Sequence, residues 1–336
     1  MKILQISSLI IAFFVITGCE TQIDVLGEYE EQTIIYGLLD TRETTQYVKI
    51  NKAFVNPNRD ALEIAQESDS LYHPNAMTVQ LQEYRNESVF GQPVLLDTAT
   101  EIAKEPGTFA GPNQLLYKTP AGFKLKKDSK YEIQLIRKSS NEVFVTAVAD
   151  IVDDINFTFP SFPTVTLSNG SDFRKQNLKW SSAKDARIYE MTLTFKFTEK
   201  NKTSGEETPK SIVWQVFEGI KSPTTQGEQE MEFRLDGEEF YGNIANVLTP
   251  NGNLERKIDS NIVFNFSYST QEFANYLEVS KPSTFLNDVK PEYTNVEGGL
   301  GLFTSRGGKD VIKGLSSPSV KQLLEGQTTG NLGFVR

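Results

Sequence analysis

The chain has 336 residues, 38% hydrophobic and 23% charged, and its 44 acids against 34 lysines and arginines give a formal net charge of −10. That length suggests two domains, and an acidic surface repels phosphates and anionic headgroups, which argues against nucleic-acid binding. One cysteine, Cys19, excludes an intramolecular disulfide. One histidine, His73, is the sole candidate for a zinc site or a serine–histidine–acid triad and has no evident second ligand beside it.

The first twenty residues, MKILQISSLIIAFFVITGCE, open with Lys2, continue as an apolar run from Leu9 to Ile16, and leave through Gly18-Cys19. The apolar core is too short to span a bilayer, so residues 1–18 read as a secretory signal peptide. Cys19 stands where a bacterial lipoprotein is cleaved and acylated: the peptidase needs small residues to reach the backbone, and the thiol accepts a diacylglyceryl group. One acyl chain binds a membrane only marginally, on the order of 10⁴ M⁻¹, so several chains on one terminus make the anchor. Residues 19–32, with Glu20, Asp24, Glu28, Glu30 and Glu31, read as a self-repelling, extended tether. No later apolar run approaches the roughly 18 residues of a spanning helix.

Short strand candidates follow. Thr33 to Leu39 is apolar on both faces, as a central strand would be, and Tyr47 to Ile50 follows a polar turn. A helical turn is expected near Ala61 to Ala65. Met77, Val79 and Leu81 alternate with Thr78, Gln80 and Gln82, the period of a half-buried strand. Val94 to Leu96, Gln114 to Lys118, Tyr131 to Ile136 and Val143 to Val148 continue the series, with Gly, Pro and Asn between them. Such spacing predicts an antiparallel sandwich. Asp150 to Pro163 holds Asp150, Asp153 and Asp154 and two prolines. No glycine-centred loop or bidentate glutamate suits calcium there, and the segment reads as a solvated linker.

The clearest strand is Tyr189 to Phe197, where Tyr189, Met191, Leu193, Phe195 and Phe197 alternate with Glu190, Thr192, Thr194 and Lys196. A one-residue slip would put all the large side chains in water, so its register is fixed. Asn201 to Lys210 reads as a hairpin loop, and Ile212, Trp214 and Val216 as the returning strand. Phe240, Ile244 and Val247 or Leu248 predict a helix over Glu238 to Leu248, and Ile262 to Tyr268 predicts a strand. Ser269 with Glu272 fits a capping box opening a helix that buries Phe273 and Tyr276 or Leu277. In YTNVEGGLGLF, residues 293–303, no helix or lysine follows the glycines as a phosphate loop requires. The segment reads as a glycine-bent strand where two backbones approach closely. Ser317-Pro318 opens a short helix to Leu324, and the tail after it reads as loosely held.

Three resemblances extend this reading. Leu178-Lys179-Trp180, then Ala183 to Ala186 and Tyr189, resembles a fibronectin type III domain, which implies that Trp180 lies in the core between two sheets. Asp69-Ser70-Leu71 and Asp97-Thr98-Ala99 resemble the O-glycosylation sites of exported proteins in Bacteroidetes-type bacteria, which implies glycans on Ser70 and Thr98. CETQID after the signal, IIYGLLD, YVKINKAF and YTNVEGGLGLF together resemble a family of outer-membrane lipoproteins from such bacteria, carried as a domain of unknown function and often encoded beside TonB-dependent receptors.

The expectation is a mainly β chain of two immunoglobulin-like or fibronectin-like antiparallel β-sandwich domains, 33–152 and 153–336, with short helical insertions in the second. No catalytic residues, metal or cofactor are expected. The resemblance implies a surface-exposed, lipid-anchored accessory of a TonB-dependent outer-membrane receptor. The alternative is a structural or adhesive cell-surface protein.

Overall fold

The computed structural model describes residues 32–53, 60–67, 71–73, 75–281 and 292–336. In chain order its elements are β1 (Thr33–Asp40), β2 (Tyr47–Lys52), α1 (Ala61–Ala65), β3 (Met77–Arg85), β4 (Ser88–Leu95), β5 (Asp97–Ala99), β6 (Leu116–Lys118), β7 (Lys130–Arg137), β8 (Val143–Asp150) and β9 (Asn156–Phe159). Then come β10 (Thr164–Val165), β11 (Lys175–Ser181), β12 (Ile188–Asn201), β13 (Glu207–Lys221), β14 (Glu230–Asp236), α2 (Gly237–Val247), β15 (Leu254–Ser269) and α3 (Gln271–Ser280). The chain closes with β16 (Val296–Glu297), β17 (Gly299–Leu315), α4 (Ser317–Glu325) and β18 (Phe334–Val335). The protein is mainly β, and among the described residues no helix is long and apolar enough to cross a membrane.

A ten-stranded sheet runs in the order β13-β12-β15-β17-β1-β2-β6-β5, with β10 and β18 on its flanks. A five-stranded sheet (β16-β8-β7-β3-β4) and a three-stranded sheet (β14-β11-β9) accompany it. Alternation explains the layering. The odd residues of β12 from Tyr189 to Phe197 are all buried, and in β3 Met77, Val79 and Leu81 are buried while Thr78 and Gln80 are not. Ile35, Leu39, Val48 and Ile50 from β1 and β2 meet Val79, Leu81, Ile133, Leu135 and Val145 in a first core. Tyr189, Phe195, Phe264 and Phe266 meet Leu178, Trp180, Phe240 and Leu323 in a second. Burying each large apolar side chain contributes about 1.5–3 kcal/mol. Trp180 is 0% exposed and lies 5.2 Å from Phe266 and 5.7 Å from Phe217, ring centre to ring centre.

β17 joins the two cores. Its first half runs parallel to β1, and its second half runs antiparallel to β15. Val296 and Phe303, from the far end of the chain, complete the first core, whose other buried members lie between residues 35 and 151. The sheet is therefore not antiparallel throughout: β10 with β17 and β15 with β18 are parallel as well. Strands from opposite ends of a chain have no hairpin to impose direction. The close approach expected for YTNVEGGLGLF occurs. Gly301 has φ +111°, and a Cβ there would overlap the Ile35 carbonyl oxygen.

Three local expectations are corrected. Residues 150–163 are not a solvated linker, because Ile151, Val152 and Ile155 are buried between the acids and β9 forms inside the segment. The tail is held: Leu332 and Phe334 are buried, Phe334 meets the Phe195 and Phe197 rings edge-on, and the buried Arg256 side chain donates to the Leu332 carbonyl. Helix α3 is capped by Thr270 instead of Ser269, whose hydroxyl donates to the Ser305 carbonyl at 2.6 Å.

Candidate functional site

With the odd residues of β12 committed to the core, Glu190 projects from the other face of the ten-stranded sheet, and α3 lies over that face. The Thr270 hydroxyl accepts from the Phe273 amide and shares a hydrogen bond of 2.5 Å with Thr304 of β17, which pins the start of the helix to the sheet. Ala274 is buried, whereas Phe273, Tyr276 and Leu277, expected among the buried residues, stay partly open. Between the helix and the ends of β12, β13 and β15 is a cleft of about 520 Å³ with Leu38, Ile188, Phe273 and Leu277 among its apolar lining.

Charges surround the cleft in two groups. At the helix end Lys221 of β13 is ion-paired with Glu278, and that hydrogen bond holds the Glu278 carboxyl below the usual carboxylate range, helped by the charges of Lys221, Lys281 and Arg187. Arg187 Nε and Nη1 are buried without a hydrogen-bond partner among the described residues. At the β1 side Arg306 Nε donates to Asp40 at 2.7 Å. Asp40, with a side chain only 5% exposed, also accepts from Arg42 Nε at 3.0 Å and Nη2 at 2.8 Å. Burial pushes the Asp40 carboxyl up, but the Arg42 hydrogen bonds and the charges of Arg42 and Arg306 outweigh it and hold it below its ordinary value.

The second group is Glu190 and Glu218, which both line the cleft. Tyr189 pairs with Ile220 and Met191 with Phe217, so two residues of β13, Glu218 and Gly219, stand opposite Glu190 alone. This is a β-bulge, which re-aims side chains and bends the strand, and Gly219 takes the positive φ, +76°, that it needs. Neither carboxylate makes an ion pair or hydrogen bond among the described residues.

Of the residues expected to carry chemistry, Cys19 and Ser70 lie outside the described residues. Thr98 is exposed on β5, opposite Tyr117 of β6. Asp153 and Asp154, weighed as calcium ligands, are ion-paired with Lys127, and among the described residues no three His, Cys, Asp or Glu side chains gather to hold a metal. The cleft escaped the sequence reading. Helical spacing announces Phe273 and Leu277 as apolar-face residues and does not tell that their cover is incomplete.

Compared with known proteins, the chain matches no family profile and no curated protein sequence. Among solved structures, a cytokine receptor complex is similar with a TM-score of 0.22 at 9% identity, over 84% of this chain and 97% of that one. Trypsin-activated alpha-2-macroglobulin from Escherichia coli has a TM-score of 0.17 at 10% identity, over 73% of this chain and 15% of that one. CBD12 from CALX1.2 has a TM-score of 0.17 at 11% identity, over 84% and 98%. Likeness at this level bears on neither activity nor partner.

Proposed function

We propose that this chain is a surface lipoprotein, held in an outer membrane through acylated Cys19, that docks without catalysis on a TonB-dependent transporter and helps capture or admit its cargo. The observation that carries the reading is the apolar run Leu9 to Ile16 ending at Gly18-Cys19, followed by an acidic tether. A lipid on the first mature residue fixes the protein beside membrane partners, and the resemblance of its strand motifs to lipoproteins encoded next to TonB-dependent receptors supplies the partner. The half-open apolar cleft supports a binding role, since ligand sites combine an apolar lining with a few placed polar groups.

The membrane attachment is tested by Cys19→Ser. The variant folds as the parent does and leaves the membrane fraction. If it stayed bound through salt and alkaline washes, the anchor would have to be sought elsewhere. The partner is tested by solubilising membranes gently and identifying what co-purifies with the lipoprotein. A TonB-dependent receptor is expected, and its absence even after crosslinking would overturn the docking reading. A deletion strain with normal nutrient uptake and altered attachment would favour the structural or adhesive role instead.

A further inference from the structure

The cleft beside α3 is lined by three acids and three cations, and two of the acids, Glu190 and Glu218, make no ion pair among the described residues. Lys221 and Arg306 are committed to Glu278 and Asp40, and the nearby charges of Lys281 and Arg187 also act on Glu278. Glu190 and Glu218, by contrast, stand opposite one another on β12 and β13, and neither is ion-paired among the described residues. Like charges opposite each other on neighbouring strands destabilise a sheet. Here the β13 bulge, with its positive-φ glycine, brings the second carboxylate to the first and turns both to the same cavity.

We propose that the cleft binds a small organic cation, a protonated amine or guanidinium on an apolar body, with its charge between Glu190 and Glu218 and its body against Ile188, Phe273 and Leu277. A charge placed there relieves the repulsion and gains charge-assisted hydrogen bonds from two acceptors. The cavity, about 520 Å³, has the size of a small-molecule site. An organic anion fits the same volume but meets two carboxylates without partners among the described residues, while Lys221 and Arg306 of the lining are already ion-paired. The inference rests on the reading of the chain as a binding protein and names the class of ligand.

The test uses the full chain carrying Cys19→Ser and a pair of probes matched in shape, tryptamine and indole-3-propionate, followed by titration calorimetry. Tryptamine binds saturably and indole-3-propionate does not. In the Glu190→Gln, Glu218→Gln double variant tryptamine binds at least about tenfold more weakly. That variant melts no lower than its parent, because the substitutions remove a repulsion, so its loss of affinity is not a loss of fold. Equal or tighter binding of indole-3-propionate, unchanged tryptamine affinity in the double variant, or no saturable tryptamine binding would each overturn the proposal. These outcomes are independent of transporter recovery, so the ligand class and the partner fail separately.

Discussion

The two cores of this protein are built from different materials. The second is aromatic: Trp180 meets Tyr189, Phe217 and Phe266, and Phe195 meets Phe240, at ring-centre distances of 5.2–6.2 Å. All its buried residues come from one stretch, 152–334. The first is largely aliphatic, with Ile35, Val48, Ile133, Leu135 and Val145 at its centre, and it borrows Phe303 from the other end of the chain. Without Phe303, whose ring fills the place where a Cβ on Gly37 would stand, β1 would have a gap in its buried face. The second core thus closes within one continuous stretch, whereas the first joins β1 to a strand some 260 residues later, across most of the second. Long-range closure of that kind slows folding more than it costs stability.

Truncating one large ring in each core should separate them. Trp180→Ala and Phe303→Ala each cost about 3–5 kcal/mol, as large-to-small changes at fully buried aromatics do. Hydrogen exchange distinguishes the two: Trp180→Ala loses protection first in β11, β12 and β15, and Phe303→Ala in β1, β3 and β7, far from it in sequence. If Phe303→Ala loosened β12 first, the first core would not depend on the borrowed strand. A somewhat smaller effect is expected at the bend of β17. Gly301→Ala puts a Cβ against the Ile35 carbonyl at φ +111°, a conformation L-residues rarely adopt, and should cost about 3 kcal/mol. Denaturant midpoints measure it, and a loss under about 0.5 kcal/mol, ordinary for an exposed position, would show that β1 and β17 can move apart.

Much of this was legible locally. The odd-residue alternation of β12 and the helix expected over Glu238 to Leu248, which spans Gly237–Val247, follow from periods of two and 3.6, and the central place of TIIYGLL from its being apolar on both faces. The second half of β17 does not, since residues 304–315 read TSRGGKDVIKGL, with glycines and charges where a strand is expected to be apolar. The structure supplies the reason. Gly307 leaves room for the Tyr268 ring and Gly308 for the Arg42 guanidinium, so the absent side chains answer to partners remote in sequence. The cleft was illegible for the same reason. Glu190 looked like an ordinary solvent-facing residue of an amphipathic strand, and only the bulge in β13 sets Glu218 beside it.

The smallest of the expected effects lies where β17 passes from one core to the other. Arg306 is opposite Asp40 of β1 and also opposite Ser269 of β15, so it marks the exchange of partners along the strand. Its guanidinium and that of Arg42 share the single Asp40 carboxylate. Asp40→Asn removes the charge both depend on and should cost about 1.5 kcal/mol. The pH dependence gives the sign. Because the folded protein holds the Asp40 carboxyl below its ordinary value, the stabilisation is fully present above the unfolded-state value near 4 and fades as pH falls through the lower folded value. Parent and Asp40→Asn melting curves should therefore lie furthest apart near neutral pH and converge in acid. A gap that stayed constant down to about pH 2 would mean that Asp40 acts through packing and neutral hydrogen bonds, and that the joint between the cores is not electrostatic.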